Sequence, residues 1–165
     1  MQTFTPFLMK TTTQTGTAFA ILSMLAVCHM LNDMLQSIIS AVYPLLKDSL
    51  LLNFTQIGLI TLVFQLSSSI FQPVVGLITD KRPQPYSLPI GMAFSMIGIL
   101  SLSFAGSFIH VLIAVFLTGL GSSIFHPEAS RLAYMASGGK TGLAQSIFQV
   151  GGNFGSAMGP LLTAL

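Results

Sequence analysis

The sequence predicts an all-α membrane protein of about five transmembrane helices. Three observations carry that expectation. Of 165 residues, 52% are hydrophobic and only 6% are charged, whereas an ordinary soluble domain carries about 25% charged residues. So few charges cannot solvate a surface, and a chain of this length cannot hide that much apolar area in one small core. Long intervals, 11–32, 49–79 and 88–127, contain no Asp, Glu, Lys or Arg. Short breaks rich in charge, Pro or Gly separate them.

Helix 1 is expected over about 18–46, behind a tail of residues 1–17. Lys10 ahead of an apolar run resembles the start of a signal peptide, but the run is too long and lacks a small-x-small cleavage site. Leu25–Cys28 makes a poor lipoprotein box because Val27 stands where Gly, Ala or Ser is needed, so an uncleaved helix is expected. Cys28 is the only cysteine, which excludes an intramolecular disulfide. Lys47, Asp48 and Asn53 read as a short turn, and Asn53-Phe54-Thr55 as a chance glycosylation sequon. Helix 2 is expected over about 54–79, ended by Asp80-Lys81-Arg82-Pro83-Gln84-Pro85. The next uncharged interval is too long for one crossing, and Gly106, Ser107 and His110 divide it into helix 3 (about 88–106) and helix 4 (about 109–136). Ser137-Gly138-Gly139-Lys140 is a flexible turn before helix 5, about 141–165.

Five crossings put Lys10, Lys81, Arg82, Arg131 and Lys140 on the N-terminal side and Lys47 alone on the other. The positive-inside rule then places the N-terminus in the cytoplasm. A net charge of +2 gives no reason to expect a nucleic-acid partner.

Polar residues form stripes on the apolar helices. His29, Asn32, Asp33, Gln36, Ser40 and Tyr43 fall within an arc of roughly 100° on helix 1. An ionisable group near a helix centre costs about 2.5–3.5 kcal/mol against lipid, so the stripe is expected to face a wet interior. Helix 2 places Gln65, Gly76 and Thr79 on one face, and helix 5 does the same with Gln145, Gln149, Gly152 and Ser156. Gly151, Gly155 and Gly159, followed by Pro160, recur at the spacing of close helix approach. On helix 4, Glu128 and Arg131 lie on one side and His126 on the other, so pairing of Glu128 with Arg131 competes with a role in substrate or gating chemistry. The three histidines look scattered, no metal-ligand set or nucleophile–base pair emerges from the spacing, and Gly139-Lys140-Thr141 lacks the rest of a P-loop. No enzyme activity and no cofactor are expected.

Gly76-Leu77-Ile78-Thr79-Asp80-Lys81-Arg82 resembles the loop motif between helices 2 and 3 of the major facilitator superfamily, and Gly155-Ser156-Ala157-Met158-Gly159-Pro160 the helix 5 motif of its drug/proton antiporters. Longer strings such as HMLNDMLQS and SSIFHPEASRLAYMASGG extend the resemblance from about residue 18 onward. Pro83-Gln84 departs from the first motif and Leu161-Leu162 from the second. The resemblance implies an incomplete N-terminal six-helix half of a major facilitator fold, with the remaining helices of the transporter, the bilayer, protons and a small anionic phosphonate drug as partners. It further implies efflux across a bacterial inner membrane. In that setting Asp33 is expected to carry the proton, with His29 sharing it. Asn32, Gln36, Gln65, His126, Glu128, Arg131, Gln145 and Gln149 line the substrate pathway. Gly76, Asp80 and Lys81 act at the cytoplasmic gate, and Gly151, Gly155, Gly159 and Pro160 pack helices. The competing expectation is a non-transporting membrane remnant or assembly partner whose stripes only hold helices together.

Overall fold

A computed structural model describes residues 16–82 and 84–164, so nearly all of the expected tail at 1–17, Lys10 included, lies outside the described residues. Six α-helices follow one another: α1 Phe19–Ala41, α2 Tyr43–Ser49, α3 Phe54–Lys81, α4 Ser87–Ser103, α5 Phe108–Met135 and α6 Thr141–Thr163. No strand occurs among the described residues.

The expected single helix over 18–46 is two helices. Val42 leaves helical geometry at φ −90° and ψ 4°, and Pro44 sits in the first turn of α2. Proline lacks the N–H that would continue the α1 ladder, whereas in a first turn that N–H has no partner to lose. Lys47 and Asp48 therefore lie inside α2 and not in a turn, with Lys47 Nζ 5.1 Å above the Phe54 ring. Asn53, read as a sequon, caps α3. Its side chain accepts from the Gln56 N–H at 2.9 Å, and the Gln56 side chain accepts from the Asn53 N–H at 2.9 Å.

Helix α5 runs through the middle. It packs on α3 at one side and α4 at the other, and it touches the separately paired α1 and α6. One apolar cluster joins Leu22, Leu25, Phe125, Ala129 and Phe148; a second joins Ile39, Ile60, Leu102, Val111 and Val115. Between the two clusters, α1 turns His29, Asn32 and Asp33 toward α4 and α5. The α1–α6 seam is tight enough that a Cβ on Gly151 would strike the backbone of Ala26, and one on Gly155 the backbone of Met30.

Among the described residues, three helices are long and apolar enough to cross a membrane: α1, α3 and α5. Helix α4 is apolar but shorter, with 17 residues. Helix α6 matches α1 at 23 residues, yet Gln145, Gln149 and Asn153 dilute its apolar content, so it is not among those helices. The five apolar crossings expected thus resolve into three, plus one short apolar helix and one polar-striped helix. Large apolar side chains on the outside, among them Met24, Ile70, Val74, Ile97, Leu100 and Phe154, are what a bilayer solvates.

Candidate functional site

The site is built on α1. At three- and four-residue spacing His29, Asn32, Asp33 and Gln36 share one face, and neighbouring helices fix each side chain. The His29 ring is buried, stacked on Phe148 of α6 at a centroid distance of 4.0 Å. Its Nδ1–H donates to the Phe148 carbonyl at 2.8 Å. Gly152 makes this possible, because a Cβ there would overlap the imidazole. Asn32 is wholly buried; its Oδ1 accepts from Ser95 Oγ of α4 at 3.0 Å.

Asp33 lies between two histidines. His29 Nε2 is 3.2 Å from Asp33 Oδ2, and His126 Nε2 of α5 is 3.2 Å from Asp33 Oδ1. The His126 Nδ1–H points at the Ser122 carbonyl, 2.9 Å away. The reading of the histidines as scattered is therefore overturned. Residues 29 and 126 are brought together by the packing of α1 on α5, which leaves no trace in local spacing. Asp33 also borders a cavity of about 240 Å³, lined by Gln36, Ser40, Tyr43, Thr61, Gln65 and Ser156. Tyr43 Oη bonds Thr61 Oγ1 at 2.8 Å on its wall. Gln36 Nε2 is sealed from solvent and has no hydrogen-bond partner. A buried amide donor left free costs about 1–3 kcal/mol.

The other residues singled out from the sequence lie elsewhere. Glu128, 2% exposed, receives Arg131 in a two-pronged pair, Nε to Oε2 at 3.2 Å and Nη2 to Oε1. Both therefore sit apart from the Asp33 cluster, and Asp80 acts electrostatically on Arg131 from the end of α3. Gln145 ties α6 to α5, Nε2 donating to the Ser130 carbonyl at 3.0 Å and Oε1 accepting from Ser130 Oγ at 3.3 Å. Gln149 is exposed on α6; Gly76 is half-buried, and Asp80 and Lys81 are exposed at the end of α3. Gly159 faces Ser37 across the seam, with Pro160 beside it on α6. Sequence reasoning missed Ser95, Gly152 as the seat of His29, and the two backbone carbonyls that orient the imidazoles. Only Ser95 left a signal: Gly91, Ser95 and Gly98 make a small-residue face on α4.

Substituting Arg131→Met would leave the Glu128 carboxylate buried without a counter-charge. That is expected to destabilise the protein by about 3 kcal/mol, whereas the double change with Glu128→Gln recovers most of the loss. Thermal denaturation in detergent reads the difference. Equal melting temperatures for the single and double variants would show that the pair does not matter to stability.

The Major Facilitator Superfamily model matches residues 25–165. The fosmidomycin resistance protein of Escherichia coli is 62% identical over 154 residues, 93% of this chain and 38% of that protein. An uncharacterized MFS-type transporter of Bacillus subtilis is 58% identical over 97% of this chain and 39% of its own length, and a second uncharacterized B. subtilis transporter is 28% identical over 90% of this chain. No solved structure matches. The chain thus spans about two fifths of the relatives it resembles. With apolar crossing helices and a family model covering most of its residues, the chain belongs to the Major Facilitator Superfamily as part of a multi-pass membrane protein.

Proposed function

We propose that this chain supplies the N-terminal helices of a proton-coupled exporter of small anionic drugs, fosmidomycin among them, in a bacterial inner membrane with its N-terminus in the cytoplasm. One observation carries the reading: Asp33, flanked by His29 and His126, opens onto a polar cavity lined also by Gln36, Gln65 and Ser156. Protons from outside bind Asp33 and its histidines and are released inside. Export requires that this proton-loaded state and the drug-loaded state exclude one another, so that the drug moves outward in the step that returns the deprotonated cluster. Gln36, Gln65 and Ser156 offer hydrogen bonds from the cavity wall, with Asn32 anchoring the α1 face. The paired Glu128 and Arg131, within the field of Asp80, form with Lys81 and Gly76 a charged latch at the cytoplasmic ends of α3 and α5.

The assembly-partner reading accounts for Gln145 and Asn32, whose hydrogen bonds join helices. It does not account for a carboxylate beside a polar cavity. A full-length transporter carrying this segment, reconstituted in liposomes, is expected to move fosmidomycin when a pH gradient is imposed and to stop when a protonophore collapses it. Flux indifferent to the gradient, or no flux, would overturn the proposal.

A further inference from the structure

The two imidazoles around Asp33 are oriented in the same unusual way. Each has its Nδ1 on a backbone carbonyl, Phe148 for His29 at 2.8 Å and Ser122 for His126 at 2.9 Å. A carbonyl only accepts, so the His29 Nδ1 carries the hydrogen; the His126 Nδ1 has a second partner in Ser122 Oγ at 3.1 Å, and carries the hydrogen when it bonds the nearer carbonyl. In the neutral rings both Nε2 atoms are then lone pairs, and both point at carboxylate oxygens 3.2 Å away. Three electron-rich groups facing one another repel unless positive charge lies between them, which either a proton on an Nε2 or a bound cation supplies. The donor atoms of His29, Asp33 and His126 all lie within 4.8 Å of one another. A tetrahedral ion bound at about 2.0–2.1 Å sets its ligands roughly 3.3 Å apart, close to the two nitrogen–oxygen distances present, which run to different oxygens of the carboxylate, so a modest turn of that group brings one oxygen to both nitrogens. An Nδ1–H held by a carbonyl is also how metal-bound histidines are fixed in tautomer and ring angle.

We infer that His29 Nε2, His126 Nε2 and one oxygen of Asp33 form a binding site for a borderline divalent transition ion of the Zn2+ class. Two imidazoles and a carboxylate suit Zn2+ or Co2+ and are too nitrogen-rich for Mg2+ or Ca2+. Three protein ligands leave a fourth position for water or an anion oxygen, and Asp33 itself borders the polar cavity. The ion needs both Nε2 atoms unprotonated, so it excludes the protons that would otherwise occupy them. Small shifts suffice to form the site: His126 is half-buried, and its ring lies edge-on to His29 at 5.1 Å, with both rings in contact with the Asp33 carboxylate.

The site stands on side-chain geometry and does not depend on the transport reading. Its test is titration of the detergent-purified full-length protein with Co2+, read by the visible absorption of tetrahedral cobalt. One saturable band is expected, bleached by stoichiometric Zn2+ and unaffected by excess Mg2+. His126→Gln keeps the bulk of the half-buried side chain and is expected to weaken binding by roughly 100-fold or more. Asp33→Asn removes the charged ligand from a different helix and is expected to do the same. Circular dichroism establishes that each variant is folded. Absence of a saturable band in the wild type, or an unchanged band in both folded variants, would overturn the site. Because the readout is spectral, a protein that binds Co2+ but fails to move drug under a pH gradient sinks the transport proposal and not this one.

Discussion

Asp33→Asn in a full-length transporter carrying this segment is expected to abolish gradient-driven drug accumulation while leaving drug–drug exchange in place. The substitution is nearly isosteric, and the amide oxygen still accepts from whichever imidazole is protonated, so the α1–α5 contact survives. What disappears is the only carboxylate among the described residues that lies between the two histidines and on the cavity wall. Without it the cluster lacks the carboxylate that takes up a proton outside and releases it inside, the half of the cycle that is exchanged against drug. A coupled carrier that keeps its binding site but loses its coupling group becomes a facilitator, and it equilibrates substrate without concentrating it. The measurement is accumulation in liposomes under an outward-directed proton gradient, lumen acidic, set beside counterflow at equal pH. Accumulation is expected to fall to the level of protein-free liposomes, and counterflow to stay within about threefold of wild type, a change of about 0.65 kcal/mol in barrier height. Wild-type accumulation by the variant would remove Asp33 from coupling. Loss of both activities in a folded protein would make it a residue of the substrate site instead.

The fold was legible where the bilayer leaves its mark on composition. Charge-free intervals located the helices, and Pro83–Pro85 and Gly138-Gly139 located two of the breaks. Pro44 was equally visible, but hydropathy continues across it, so helices α1 and α2 were read as one. Asn53 was weighed as a sequon when the Gln three residues later already spelled a capping box. The site was half legible. The α1 stripe can be read because its members share one helix. The meeting of His126 with Asp33 cannot, because the rotation of α5 against α1 is set by Phe125, Leu22 and Leu25 packing together and not by any local period. For the same reason the stripes of α3 and α6 looked alike, although Gln65 faces the cavity and Gln145 is held by Ser130.

The α1–α6 seam makes the sharpest demand on sequence. Three alanine substitutions on α6 are expected to behave quite differently for one chemical change. Gly155→Ala sets a methyl against the backbone of Met30, which no rotamer change relieves, so α1 and α6 must separate. Overpacking of this kind typically costs about 1–3 kcal/mol, and with the backbone as the obstacle the upper end applies. Gly152→Ala meets the His29 ring instead. The imidazole can swing away, but only by giving up its bond to the Phe148 carbonyl and its place beside Asp33. A lost buried hydrogen bond adds about 1–3 kcal/mol, and the Asp33 cluster loses one of its two nitrogens. Gly142→Ala, at the start of the same helix, meets nothing within 4 Å. There the usual helical advantage of alanine, about 0.5–1 kcal/mol, should appear. Melting temperatures in detergent are therefore expected to fall clearly for residues 152 and 155 and to hold or rise for 142. The Co2+ titration separates the first two, since Gly152→Ala removes a ligand from its position and Gly155→Ala acts on it only through the helix seam. If all three melt together, the close approach of α1 and α6 is not what holds His29 in place, and the geometry of the Asp33 cluster must have another source.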